Sequence, residues 1–197
     1  MSKNKHRCKR DHFKVVHGDC AQGVHGRISV VKRRSDGKLV IWKRPRSSNH
    51  IHQESFRQEI KKSKYWRKFG VSQVKVCWHP DKKSLLKTYI KGRTLKQMLR
   101  KGLLHFSDHG SKPVRALGEL VGHLVGSGHY IQDVNRQNLV FDGDRWHLID
   151  SSTIHGGTSR SIARQKYRTA FTRSWSKSLH SKDEIKYLDS FLNKYCR

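Results

Sequence analysis

The chain has 197 residues, with 43 lysines and arginines against 15 aspartates and glutamates, a formal net charge of +28 and a pI near 10.5. That length suffices for one well-buried core, or for two small lobes sharing one site. The charge calls for polyanionic partners, meaning nucleic acid, an anionic membrane surface or phosphorylated substrates, although a proteome-wide basic bias would give the same excess.

No apolar stretch approaches the ~18–20 residues of a membrane span, and the basic N-terminus lacks the apolar segment of a secretory signal. The four cysteines, Cys8, Cys20, Cys77 and Cys196, are spread without a Cys-x-x-Cys pair. Neither a zinc module nor a disulfide framework is expected, and a reducing, cytoplasmic setting follows. The histidines are scattered, with His50-Ile51-His52 the nearest approach to ligand spacing.

In chain order, residues 1–12 form a basic leader. Three strand patterns follow, Phe13–Val16, Arg27–Val31 and Lys38–Lys43, with Ser35-Asp36-Gly37 as a hairpin turn between the last two. Glycine-bearing residues 18–26 join the first two strands. Within and just beyond this link, Ala21, Gly23, Gly26 and Ile28 fit Gly-x-Gly-x-x-Gly-x-Val, with Ala in the first place and Ile in the last. A loop without large side chains lets backbone N–H groups approach phosphate oxygens. Val40-Ile41-Trp42-Lys43 has the pattern of a strand carrying a phosphate-binding lysine. Lys43 follows Ile28 by 15 residues, room for a strand, a turn and a second strand.

A helix is expected from about Gln53 to Phe69, on the recurrence of Phe56, Ile60, Tyr65, Trp66 and Phe69, with Gly70 ending it. Two acids stand on this basic helix, Glu54 and Glu59, and Glu59 sits mid-helix next to the expected buried side. Val74–Trp78 and Leu85–Ile90 read as two more strands around the turn His79-Pro80-Asp81. Lys91-Gly92-Arg93 breaks the pattern, and Thr94 caps a short helix through Leu95, Met98 and Leu99. Pro113 suits the first turn of an apolar helix with Leu117, Leu120, Val121, Leu124 and Val125, which ends at Gly126-Ser127-Gly128.

Residues 128–152 hold the densest chemistry: Asp133, Asn138 and Asp150. Leu139–Phe141 and Trp146–Ile149 flank Asp142-Gly143-Asp144 and read as a short hairpin. The hairpin would hold Asn138 and Asp150 side by side at one end, where two oxygen ligands share a hard divalent cation. Beyond lie a basic helix pattern at about 160–178 (Ile162, Tyr167, Phe171, Trp175) and an amphipathic one at about 181–195 (Ile185, Leu188, Phe191, Leu192), with Ser181 and Glu184 as a capping box.

The ordered set of glycine-bearing loop, strand lysine, helix glutamate, Asp-x4-Asn and final Asp resembles the protein-kinase-like fold over roughly residues 15–152. The nearest likeness is to small atypical bacterial kinases, especially the lipopolysaccharide core (Kdo and heptose) kinases. Their catalytic stretch reads much like Asp133-Val134-Asn135-Arg136-Gln137-Asn138-Leu139-Val140 and, later, Leu148-Ile149-Asp150. RIO-type minimal kinases share the compact layout. The resemblance implies an α+β, minimal two-lobed fold, with a leader (1–12), a lobe of antiparallel sheet plus one helix (13–90) and a mainly helical lobe (91–197), and ATP between the lobes. It also implies that Lys43 contacts the α- and β-phosphates and that Glu59 orients it. On the same likeness, Thr88, Tyr89 and Ile90 would form the adenine hinge, Asn138 and Asp150 would hold Mg²⁺, and Asp133 would deprotonate the acceptor hydroxyl.

The departures from that pattern bear on regulation. Asp150-Ser151-Ser152 stands where protein kinases have Asp-Phe-Gly, and Ile131-Gln132 replaces the His-Arg before the catalytic Asp. No Ala-Pro-Glu follows. These losses point to a constitutively active enzyme with a small or lipid-linked anionic acceptor. A lipopolysaccharide core sugar is the first expectation, and an effector-, toxin- or regulatory-type protein Ser/Thr kinase is the second. The basic set Arg160, Arg164, Lys166, Arg168, Arg173 and Lys177 suits an anionic substrate or peripheral contact at the inner face of a membrane. A third reading is a basic nucleic-acid-binding protein on a kinase-like scaffold. The oligomeric state is open.

Overall fold

The computed structural model describes residues 13–23, 26–46, 50–68, 70, 74–79, 81–131, 136–150, 154–175 and 182–195. The fold is α+β. The described residues divide into two compact units; the first runs to Tyr89 apart from Gly70, which belongs with Ile90 and the residues after it in the second.

The first unit is built on five strands: β1 (Phe13–Gly23), β2 (Gly26–Arg33), β3 (Leu39–Pro45), β4 (Val76–Trp78) and β5 (Leu85–Thr88). They form an antiparallel sheet in the order β1-β2-β3-β5-β4. The β2–β3 turn falls at Ser35-Asp36-Gly37, where Asp36 Oδ1 accepts from Arg33 Nε at 2.8 Å. Gly37 takes φ 68° there. Links of 18–26 were expected between the first two strands, but β1 runs on to Gly23. Its register on β2 shifts twice, between Val15 and His17 and between His17 and Ala21, and these irregularities absorb the extra residues.

Helix α1 (His50–Lys68) lies between β3 and β4 in sequence and packs on β4. Its buried positions among the described side chains are Phe56, Glu59, Ser63 and Trp66, spaced 3, 4 and 3 residues apart, so they form one stripe. The expected stripe included Ile60 and Tyr65; Ile60 is half-buried and Tyr65 is exposed, because Ser63 takes the inward position and donates its hydroxyl to Val74 O at 2.7 Å. Phe69 lies outside the described residues. Burying Phe56 and Trp66 contributes on the order of 2–3 kcal/mol each.

The second unit contains β6 (Arg93–Thr94), α2 (Leu95–Arg100), α3 (Lys112–Gly126), β7 (Tyr130–Ile131), β8 (Leu139–Phe141), β9 (Trp146–Leu148), β10 (Ile154–His155), α4 (Arg160–Trp175) and α5 (Lys182–Tyr195). Strands β6-β8-β9 form one small sheet and β10-β7 another. Thr94 caps α2 through a full capping box, with Gln97 N–H donating to its hydroxyl and its own N–H donating to the Gln97 side chain. Helix α3 is the scaffold: Val114, Leu117, Val121, Leu124 and Val125 are all buried. A Cβ on Gly118 would stand 2.5 Å from the Tyr195 ring, so only glycine lets the end of α5 lie on α3.

The expected face of α4 holds at Tyr167 and differs at Ile162. Ile162 is 45% exposed, and the inward positions of α4 are Ala163 and Tyr167. On α5, Phe191 and Leu192 are buried as their pattern predicts, while Ser181 and the side chains of Phe171, Trp175, Ile185 and Leu188 lie outside the description. Among the described residues no helix is long and apolar enough to cross a membrane.

Candidate functional site

Alternation along β3 sends Ile41 and Lys43 to one sheet face and Val40 and Trp42 to the other. Lys43 pairs in register with Leu85, and Ile41 with Lys87, so Lys43, Leu85 and Lys87 share that face. The inward stripe of α1 brings Glu59 to both cations. Lys43 Nζ donates to Glu59 Oε2 at 2.8 Å, and Lys87 Nζ to Oε1 at 2.5 Å. The glutamate side chain is 2% exposed and the two lysines 11% and 10%. The Lys43 ammonium also stands 5.5 Å from the centre of the Phe56 ring, within reach of a cation–π contact.

Of the two acids considered for the lysine, Glu54 is on the exposed side of α1, bonded to Gln58 at 2.8 Å and to Arg57 at 3.4 Å. Glu59 is therefore the partner of Lys43. Lys87 is the participant that reading the chain missed. Its signal was available: Leu85 and Lys87 lie two apart on one strand, so a buried Leu85 places Lys87 on the same inward face. A lysine there needs a carboxylate.

The glycine-bearing segment forms the end of the β1–β2 hairpin. Ala21 pairs with Ile28 and Gly23 with Gly26, and Val24 and His25 between them lie outside the described residues. Gly26 has a packing cause of its own: a Cβ there would stand 2.5 Å from Arg44 O and 3.3 Å from Lys43 Cγ. Ile28 is half-buried opposite Lys43. Thr88 closes β5, with its hydroxyl accepting from Lys75 N–H at 3.1 Å. The strand expected to reach Ile90 ends at Thr88, and the half-buried Tyr89 and Ile90 fall on either side of the division between units.

In the second unit β8 and β9 form the expected hairpin, Leu139 opposite Leu148 and Phe141 opposite Trp146. Ile149 N–H donates to Asn138 O at 2.8 Å, which extends the ladder by one step. Asn138 and Asp150 thus leave the hairpin at the same end, both half-buried. At the opposite end Asp142 ties the turn, its Oδ1 accepting N–H bonds from Asp144 and Arg145 at 2.8 and 2.9 Å, and its Oδ2 standing 2.6 Å from His147 Nε2. Burial pushes the Asp142 carboxyl up, but the Arg145 N–H, the His147 ring and the Asp144 N–H outweigh it and bring the pKa down to about 2. Trp146 anchors the hairpin to α3 by donating its indole N–H to Pro113 O at 2.7 Å.

Asp133 lies outside the described residues. Its flanks are described: Ile131 pairs with Ile154, and Arg136 O accepts from Lys96 N–H at 3.0 Å. His129, just upstream, is buried against Gly156, with Nδ1 2.9 Å from the Ser127 hydroxyl. Burial holds its pKa below the ordinary histidine value. Asn138 and Asp150 offer amide and carboxylate oxygens, the donor set that suits Mg²⁺ when phosphate oxygens and water complete it. Among the described residues no group of three or more His, Cys, Asp or Glu side chains gathers at metal-binding distance. No family model matches the chain, and no curated protein matches it.

Proposed function

We propose that the chain is a kinase of the protein-kinase-like kind, transferring the γ-phosphoryl group of ATP to a hydroxyl with Mg²⁺ bound. The observation that carries this reading is the buried Lys43–Glu59 pair between β3 and α1. A lysine held at 2.8 Å by a carboxylate has a fixed direction, and it keeps two N–H donors beyond the one bonded to Glu59. The antiparallel five-stranded sheet with α1, followed by a mainly helical unit, supports a kinase-like two-lobed fold.

In this reading Lys43 donates to the α- and β-phosphate oxygens, and Glu59 keeps its ammonium aimed at them. Asn138 and Asp150 would hold Mg²⁺, which supplies neutralisation of charge on the phosphates. Asp133 accepts the proton of the acceptor hydroxyl as its oxygen bonds to the γ-phosphorus and the bond to the ADP oxygen breaks. Rate enhancement comes from positioning and from charge stabilisation, with no covalent enzyme intermediate. Ser151, Ser152, Ile131 and Gln132 leave no Phe-based switch and no arginine for a phosphorylated loop, so activity needs no loop phosphorylation. A lipopolysaccharide core sugar is the acceptor that the likeness around Asp133–Asn138 favours.

The test is γ-labelled ATP offered with purified lipopolysaccharide and, separately, with cell lysate. Label in the lipopolysaccharide supports the sugar acceptor, and label in lysate protein replaces it with a protein acceptor. Asp133→Ala, Asp150→Ala and Lys43→Met each lower transfer by about 10²- to 10⁴-fold. Variants that turn ATP over at the parent rate would defeat the kinase reading.

A further inference from the structure

Helix α4 has the sequence Arg-Ser-Ile-Ala-Arg-Gln-Lys-Tyr-Arg-Thr-Ala-Phe-Thr-Arg-Ser-Trp and contains no acid. Arg160, Arg164 and Arg168 recur every four residues, so they rise in steps of about 6 Å along one side of the helix. All three are exposed, as is Lys166, while Ala163 and Tyr167 face inward. Arg160 Nε donates to Gly126 O at 2.9 Å, and an Arg164 terminal nitrogen donates to Asn193 Oδ1 at 3.2 Å. Both acceptors are neutral. These bonds orient two guanidiniums without cancelling their charge, and each retains further N–H donors.

We propose that this arginine row docks the phosphodiester backbone of nucleic acid. Three observations favour it over an anionic membrane. The charges are arginines, whose planar forks match phosphate oxygens in pairs. They repeat along one line, as backbone phosphates do. The described inward residues of α4 are already packed, and the helix contacts β7, α3 and α5; an interfacial helix needs its apolar face free to enter lipid. The row lies within the second unit and involves none of Lys43, Glu59, Asp133, Asn138 or Asp150, so the proposal stands or falls separately from the kinase reading.

The experiment measures binding of the full chain to a short mixed-sequence DNA duplex across a salt series. Two variants are compared with the parent: Arg164→Gln/Arg168→Gln on the row, and Lys61→Gln/Lys64→Gln at exposed positions of α1. The row variant lowers affinity at least about 10-fold at physiological salt and lowers the log–log salt slope by about 2, since each lost phosphate contact removes ~0.9. The α1 variant leaves the slope within about 0.5 of the parent, because its lysines make no phosphate contact. Arg164→Lys/Arg168→Lys keeps the slope and loses part of the affinity, which separates charge from fork geometry. Equal losses in the row and α1 variants would reduce the binding to net charge and overturn the proposal. No measurable binding would overturn it too, as would capture by phosphatidylserine vesicles that the row variant abolishes while duplex binding stays at the parent level.

Discussion

Replacing Glu59 by glutamine removes a carboxylate to which both Lys43 and Lys87 donate, while keeping the side chain's size. Both lysines are about nine-tenths buried, so neither ammonium regains full hydration when the anion is lost. Removing one member of a buried ion pair costs about 3–5 kcal/mol, because charge stays in a site built for its opposite. Replacing the whole cluster, as in Lys43→Met/Glu59→Leu/Lys87→Met, removes the charges together and costs no more than about 1 kcal/mol. The single change is thus expected to harm folding more than the triple. Native-state hydrogen exchange of amides in β3, β5 and α1 reads the first unit directly. With about 1.4 kcal/mol per tenfold, Glu59→Gln speeds that exchange by roughly 10²- to 4 × 10³-fold, and the triple variant stays within about 10-fold of the parent. Exchange in Glu59→Gln within about 5-fold of the parent, or a triple variant as labile as the single one, would refute the view of the cluster as a charge-matched buried unit.

Two further outcomes follow from single contacts. Gly26→Ala brings a Cβ to 2.5 Å from Arg44 O; because backbone must move, β2–β3 loses about 1–3 kcal/mol, visible as a lower midpoint in urea. The Asp142 carboxyl has a folded pKa of about 2, below its unfolded value near 4. Its contribution is therefore present above pH ~4 and is lost as pH falls from about 4 to about 2. Acid titration of β8–β9 should show that loss, and Asp142→Asn should flatten the curve in that window; an unchanged acid profile would remove Asp142 as its source.

The hairpin carrying Asn138 and Asp150 was legible because its cues are local. Apolar runs on either side of Asp142-Gly143-Asp144 specify strands and a turn without help from distant residues. Thr94 at the start of α2 and Pro113 in the first turn of α3 were legible for the same reason, as capping depends on a few neighbouring N–H groups. Periodicity was less decisive on α1 and α4. Tyr65 and Ile162 are apolar enough to suggest an inward face, yet Ser63 and Ala163 hold the inward positions. A small residue suits a close approach, and which apolar side chains are left outside depends on the partner surface.

By itself the sequence established the α+β class, the strongly basic character, the order of the main elements and the acids and amide around residues 133–150. These depend on composition, short-range periodicity and turn chemistry. The tertiary structure decided that Glu59, and not Glu54, meets Lys43, and that Lys87 joins them. It also decided that Gly26 is small because Arg44 passes close by, and that Arg160 and Arg164 of α4 lie exposed beside neutral acceptors. Each of these depends on strand register, or on which helix face meets a neighbour. A one-residue change in either would leave the local patterns intact and send the side chain elsewhere.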